Sequence, residues 1–306
     1  MARPKVTIGV CVRNCESSIG EAIESIMKQD YPHKFIELIF VDDGSSDKTL
    51  SIIRDYASKI DISVKIFSHK WRGIGYSRNV VVKSAEGKYI VWVDGDMVIP
   101  PDYLRKLVDF METHPEVGIA KGKQSIKAGF SLLGTLEAYS RAASRMVNYR
   151  SEKAKFKSLG TGGAIYRVEA LRHVEGFDET MRGYYEDFDV ELRMKAFRWT
   201  LDTVDVDFCD YERKGLDYGT IWKRYWFRGY FAHYFLHKNK GAIQVYKMFP
   251  LIALVAGLLD AAKLYPLTGR IVVFSLPIIF LFKTCAWNIG FLASHLDNYE
   301  PNNCGM

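Results

Sequence analysis

The sequence predicts an α/β domain with a mostly parallel sheet flanked by helices, followed by apolar, membrane-associating helices. Three observations carry this. Short β-branched apolar runs alternate with segments of helical period through the first third of the chain. Two of those runs end in aspartate-rich turns. The last fifth of the chain is far more apolar than a mean hydropathy of −0.09 implies. With 306 residues, 48% hydrophobic and 25% charged, the chain has the composition of a globular protein, which excludes a disordered or fibrous one.

Residues 5–12 (KVTIGVCV) read as a buried strand ending at Arg13 and Asn14. A helix follows: Ser18 and Glu21 have capping-box spacing, and Ile19, Ala22, Ile23, Ile26 and Met27 recur with its period. The strand IELIFV (36–41) stops at the turn-rich Asp42, Asp43, Gly44, Ser45 and Ser46, and a helix is expected over 47–58. The cycle repeats with a strand at 62–68, a helix at 74–85 and the strand YIVWV (89–93), which runs into Asp94, Gly95 and Asp96. Strands alternating with helices at this spacing make a parallel sheet covered on both faces.

Ligands of such sheets bind beyond the carboxyl ends of the strands. Asp42 and Asp43 close one strand, and Asp94 and Asp96 close another, with spacing that lets the last two aim at one point. Paired carboxylates are the oxygen donors a hard divalent cation takes, with phosphate oxygens completing its shell. Plain turn formation explains either cluster alone; two at neighbouring strand ends point to a metal diphosphate. No GxGxxG follows the first strand and no P-loop is present, which disfavours a nucleotide dehydrogenase or a P-loop enzyme. The net charge of +6 suits anionic ligands or an anionic membrane surface, whereas the absence of a long basic run argues against nucleic acid. The five cysteines are odd in number and scattered, which favours a reducing compartment, and the short apolar start is no signal peptide; the catalytic part is expected in the cytoplasm.

Several segments, in order, resemble the inverting family 2 glycosyltransferases of the GT-A fold. They are VDDGSSD (41–47), Gly75 with Ser77, Arg78 and Asn79, AEGKYIVWVDGD (85–96), GTGGAIYR (160–167), GFDE (176–179) and YEDFDVELR (185–193). The resemblance spans residues 4 to 235. It implies that Asp43, with Asp42 beside it, reads the nucleobase of a sugar nucleotide, that Asp94 contacts ribose or metal, and that Asp96 is a metal ligand. It places Gly162 and Gly163 where small residues line the acceptor side, and matches Glu186 and Asp187 to the ED pair whose aspartate is the general base. Asp187 could alternatively be an N-terminal helix acid, in a helix facing Val190, Met194 and Phe197 inward. Arg78 either contacts phosphate or nucleotide or is an exposed helix arginine. Where relatives carry a histidine near the metal, this chain reads Phe208, Cys209, Asp210, Tyr211; Asp210 substitutes as an oxygen ligand, or water does.

Residues 217–237 mix aromatics with Lys223, Arg224 and Arg228. They read either as a core-packed helix or as an interfacial helix whose Arg224, Trp226 and Arg228 meet an acceptor or lipid phosphate. The segment vaguely resembles the arginine and tryptophan motif of processive relatives, without its preceding glutamine. Two apolar stretches follow, 243–262 and 271–293, separated by Lys263 to Arg270. Their lengths suit a transmembrane hairpin returning the C-terminus to the cytoplasmic side. Gln244, Lys247, Asp260 and Lys283 interrupt them, and Lys263 and Arg270 in an outer loop oppose the positive-inside bias. In-plane or re-entrant helices, and a soluble subdomain or oligomer contact, are the alternatives.

The expectation is therefore a GT-A catalytic domain (1–215), a basic aromatic connector (216–242) and a membrane-associating hairpin and tail (243–306). It would be a Mn²⁺- or Mg²⁺-dependent inverting transferase, carrying a sugar from a UDP- or GDP-sugar to a hydroxyl of a lipid-linked or membrane-proximal acceptor. Homo-oligomers would form through the C-terminal helices. The alternatives are a polyprenyl-phosphate glycosyl synthase, whose ionised acceptor needs no base, and a catalytically inactive sugar-nucleotide-binding membrane scaffold.

Overall fold

The computed structural model describes residues 4–129, 131–151, 154, 157–210, 216–243 and 248–298. Tyr211, Gln244, Lys247 and Cys304 lie outside them. The chain forms two compact units, residues 1–123 with 148–211, and residues 124–147 with 212–306.

The first unit begins with β1 (Val6–Val12), α1 (Ile19–Met27), β2 (Ile36–Asp43), α2 (Thr49–Ala57), β3 (Ser63–His69), α3 (Ile74–Ser84) and β4 (Tyr89–Trp92). β1 pairs in parallel with both β2 and β4, and β2 with β3, in the spatial order β3-β2-β1-β4. Strand order therefore reverses between β1 and β4, which opens a crevice at their carboxyl ends. Both faces of β1 and β2 are covered, as their unbroken apolar runs require: Val6, Ile8, Leu38 and Phe40 on one face and Thr7, Ile39 and Val41 on the other are fully buried. The apolar face of α1 packs as its periodicity predicts, with Ile19, Ala22, Ile23 and Ile26 buried. Its capping box does not form. Ser18 occupies the N-cap, but its hydroxyl turns back to the Cys15 carbonyl at 3.5 Å and takes no amide of the first turn.

The chain continues through β5 (Met97–Val98), α4 (Tyr103–Thr113) and β6 (Val117–Gln124). After the segment given to the second unit come β7 (Ala164–Arg167), α6 (Val168–His173), α7 (Glu186–Ala196) and β8 (Thr200–Asp210). β7 runs antiparallel between β4 and β6, so the far half of the sheet departs from the parallel pattern. β5 pairs antiparallel with β8, setting Met97 opposite Asp210. In α7, Val190 and Met194 are buried as expected, whereas Phe197 is 61% exposed, because the helix ends at Ala196 and Phe197 caps it outside the apolar face.

The second unit holds α5 (Leu132–Ala142), α8 (Tyr218–Lys238), α9 (Pro250–Thr268) and α10 (Leu276–Leu296), the last preceded by a 3-10 turn at Ile271–Ser275. α9 starts later than the apolar stretch suggests, at a proline whose fixed φ suits a first turn. It then runs through the expected connector, past Lys263, and stops at Gly269 with φ 64°. Pro266 is tolerated near that end, where few helical bonds remain to be lost. Two segments among the described residues, Pro250–Thr268 and Ile271–Leu296, are long and apolar enough to cross a membrane. Lys283 is buried within this unit, ion-paired to Glu137 of α5 and 2.9 Å from the Ser140 hydroxyl. Arg224 lies 3.6 Å from the same glutamate.

Candidate active site

The strand ends build the site. Asn14, just past β1 with φ 52°, accepts the Ser46 amide on its side-chain oxygen and binds the Ser45 hydroxyl through its own amide at 3.0 Å. These bonds fix the turn after β2. Asp42 is buried, with Oδ2 3.3 Å from both the Ser45 amide and the Ser68 hydroxyl. Its Oδ1 is buried with no hydrogen-bond partner, a polar atom aimed where a ligand donor fits. Asp43 holds the next loop, taking the amides of Arg72 at 2.7 Å and Gly73 at 3.0 Å. The parallel register sets His69 directly beside it, and His69 Nδ1 lies 3.3 Å from Asp43 Oδ1. Trp71, between these groups, has Arg13 over its ring at 5.6 Å and Arg182 at 5.7 Å.

Half-buried Cys11 lies one residue before the end of β1. Burial pushes its thiol up to about 12; Arg78 opposes this, and Asp94 and Asp43 add to it. The same field ties Arg78 to Asp94 and Asp187. Arg78 is buried in α3 and ion-paired to Glu186, so the exposed-helix alternative is excluded. Glu186 has its carboxyl raised to about 7 by burial, with Arg78 pulling it down and Asp187 pushing it up. A buried glutamate sharing a site with a second carboxylate behaves this way. Asn79, one residue beyond Arg78, brackets the GFDE segment: it accepts the Phe177 amide and donates to the Phe177 carbonyl, both at 2.8 Å, and donates to Glu179 at 3.0 Å.

α7 presents the ED pair on its first turn. Tyr185, with φ 73°, sits in the left-handed region that a non-glycine residue enters only under constraint. Asp187 Oδ1 accepts the Phe188 amide at 2.8 Å, which is the helix-end role, while Oδ2 stands 3.5 Å from where a Cβ on Gly160 would be. The two sequence readings of Asp187 are thus compatible, one for each oxygen. The glycine turn closes over both carboxylates. A Cβ on Gly162 would collide with the Asp94 carboxylate, and one on Gly163, with φ 77°, would stand 2.8 Å from the Tyr103 hydroxyl. Only glycine permits this approach.

Sequence reasoning missed Glu191. It is fully buried one turn beyond Asp187 and accepts the Leu159 amide at 3.1 Å, the Gly160 amide at 2.8 Å and the Ser158 hydroxyl at 3.1 Å. Burial, with Asp187 nearby, pushes its carboxyl up to about 8 against the pull of those amides and Lys195. The i, i+4 spacing from Asp187 was the available signal. His69 was missed as well, and only the register of β2 against β3 reveals it.

For a divalent cation, the donors are Asp94 and Asp96 on the turn between β4 and β5. The backbone of Asp210 lies opposite Met97, the residue after Asp96. Among the described residues, no set of three or more His, Cys, Asp or Glu side chains forms a ready-made metal cage. The donor set and the glycine cradle at Asp94 nevertheless fit a hard cation held by one or two carboxylates with substrate oxygens supplying the rest. Arg224, Trp226 and Arg228 belong to the helical unit. There Trp226 stacks on Tyr230 with centroids 5.2 Å apart, and the Arg228 guanidinium lies 5.1 Å over Tyr225.

Comparison with known proteins gives the family and the fold. The model of the family described as "Glycosyl transferase family 2" matches residues 7–175. The poly(ribitol-phosphate) β-N-acetylglucosaminyltransferase TarS of Staphylococcus aureus is 36% identical over 110 residues, which is 36% of this chain and 19% of TarS. The Bacillus subtilis glycosyltransferase EpsE is 32% identical over 192 residues, 62% of this chain and 66% of EpsE. Among solved structures, the mannosyltransferase PcManGT from Pyrobaculum calidifontis, in complex with GDP-Man and Mn²⁺, superposes with a TM-score of 0.69 at 18% identity, covering 98% of this chain and 89% of that one. S. aureus TarS 1-349 in complex with UDP-GlcNAc gives 0.53 at 18% identity, covering 96% and 91%. The two structures share the fold.

Proposed function

Since the chain belongs to glycosyl transferase family 2, we propose that it is a metal-dependent inverting transferase, carrying a sugar from a UDP- or GDP-sugar to a hydroxyl of a lipid-linked or membrane-proximal acceptor, with the catalytic unit on the cytoplasmic side. One observation carries the reading. The Gly160–Gly163 turn lies against both a donor-side carboxylate, Asp94, and Asp187, whose Oδ2 is not the oxygen that takes the Phe188 amide.

In this reading the orphaned Asp42 oxygen and the Asp43 loop bind the base and ribose of the donor. Asp94 and Asp96 would hold Mn²⁺ or Mg²⁺, with Asp210 the sequence-based candidate for a further oxygen. When bound, the cation neutralises charge on the departing nucleotide diphosphate. Asp187 Oδ2 takes the acceptor proton as the hydroxyl attacks the anomeric carbon from the face opposite the leaving group, so a single displacement inverts that centre. The Arg78–Glu186 pair fixes the helix end that presents Asp187. Arg224, Trp226 and Arg228 serve the acceptor's phosphate or the lipid surface.

The test is nucleoside-diphosphate release from a panel of UDP- and GDP-sugars, with and without Mn²⁺, using membrane lipid extract as acceptor. Asp187→Asn should lower turnover by about 10²–10⁴-fold with folding intact and donor binding retained. Unchanged turnover in that variant would overturn the hydroxyl-acceptor chemistry and favour transfer to a lipid phosphate.

A further inference from the structure

The packing inside the helical unit decides how its apolar surface meets lipid. α9 and α10 are antiparallel: Asn288 Nδ2 donates to the Met248 carbonyl at 2.7 Å near one end, and Gly257 lies against Pro277 at the other. α8 runs parallel to α10, with Trp222 against Phe282 near their starts and His233 Nε2 3.2 Å from His295 Nδ1 near their ends. The contact is backbone on backbone, since a Cβ on Gly229 would collide with the Trp287 carbonyl, and one on Gly290 with the Trp226 carbonyl. At the hairpin tip, Leu264, Val273 and Leu276 share a buried cluster with Leu133, Leu136 and Tyr139 of α5.

A transmembrane hairpin would carry this tip to the far side of the bilayer, and α5 would have to go with it. α5 has 11 residues, too few to cross, carries the buried Glu137, and is joined within a few residues at each end to the catalytic chain. If the tip instead stays on the catalytic side and α9 and α10 still cross, α8 must cross as a third span. α8 exposes Lys223 and Arg228 within its length, where a spanning helix tolerates such charges poorly. Neither crossing fits.

We infer that the unit is monotopic: α9 and α10 are embedded from one leaflet, with both the tip and the α8–α9 connection on the catalytic side. The buried stripe of α9, Ala253, Gly257 and Ala261, faces its partners, and the opposite stripe, Leu251, Val255, Leu258 and Leu259, is exposed. That exposed stripe, continued by Ile271, meets the acyl chains. Beside it the exposed Arg270, and Lys263 with Asp260 3.7 Å away, leave the tip net positive, which commits the occupant to a lipid surface carrying anionic headgroups rather than a second copy of the same tip. This rests on the membrane-proximal reading above and selects its topology.

The full chain, with an N-terminal tag and a protease site inserted after Thr268 or after Asn239, tests it in sealed membrane vesicles. Protease added on the side that removes the tag should cut both sites. Cleavage of either site only from the opposite side overturns the monotopic arrangement while leaving membrane association intact. In a second arm, purified protein is floated with phosphatidylcholine vesicles containing phosphatidylglycerol. Leu258→Asp, on an exposed position, should reduce flotation at least tenfold with donor hydrolysis unchanged. If the parent protein fails to float and is instead a dimer that Leu258→Asp dissociates, both this inference and the membrane-proximal reading fall.

Discussion

At the level of single residues, burial holds two carboxyls of the first turns of α7, Glu186 and Glu191, above the ordinary range. Glu186 shows this most directly. Its carboxyl is raised to about 7, principally by burial, so the stability it contributes is full below about pH 4.5 and is lost as pH rises through 7. The difference in unfolding free energy between the parent chain and Glu186→Gln should therefore shrink by up to ~3 kcal/mol between pH 5 and 8. Thermal melts of the ligand-free proteins across that range measure it, and a difference that grows with pH would contradict the assignment. Asp42, Asp43, Asp94 and Asp96 stand out in the sequence because they follow apolar strands, whereas Asp187, in the first turn of α7, stands out only through the family resemblance. Arg78 was ambiguous, since its helix has weak periodicity and only the tertiary structure sets it under Glu186.

The elements position these residues through their ends. α7 begins on the strained Tyr185, presents Asp187, and one turn later uses Glu191 to hold the loop Ser158–Gly160 by its amides. Glu191→Ala would leave those buried donors unpaired, at roughly 1–3 kcal/mol each. We expect a destabilised but folded enzyme whose turnover falls, and whose Leu159 and Gly160 amides exchange hydrogen far faster than those of β4. Unaltered protection of those two amides would remove Glu191 from this role. The parallel half of the sheet could be predicted element by element, because both-face burial leaves continuous apolar runs in β1, β2 and β4. The antiparallel half could not. β7 has only four residues, and its pairing depends on partners far away in sequence. The capping box at Ser18 failed for a local reason, since the Cys15 carbonyl competes for the hydroxyl.

For the molecule as a whole, the division into units does not follow chain order, because α5 leaves the catalytic sequence and packs with helices that come last. Hydropathy located the tail but not its partner, since the feature that recruits α5 is a charge pair between Glu137 and Lys283. Glu137→Ala should cost about 3–5 kcal/mol, as the buried Lys283 loses its counter-ion and Arg224 its carboxylate neighbour, while the double change Glu137→Leu with Lys283→Met should restore part of that stability. Calorimetry on detergent-solubilised protein would compare them; equal losses in the single and double variants would show that the pair is not what holds α5.

That pair also sets a schedule for synthesis. Lys283 lies 143 residues beyond Ser140, which it touches in the finished protein, so α5 leaves the ribosome long before its partner exists. β7 and then β8 can complete the sheet meanwhile, while α5 still exposes an unpaired carboxylate that is buried in the finished protein. Completion of the helical unit then waits for α10, whose arrival is the step that commits α5 to its mature packing.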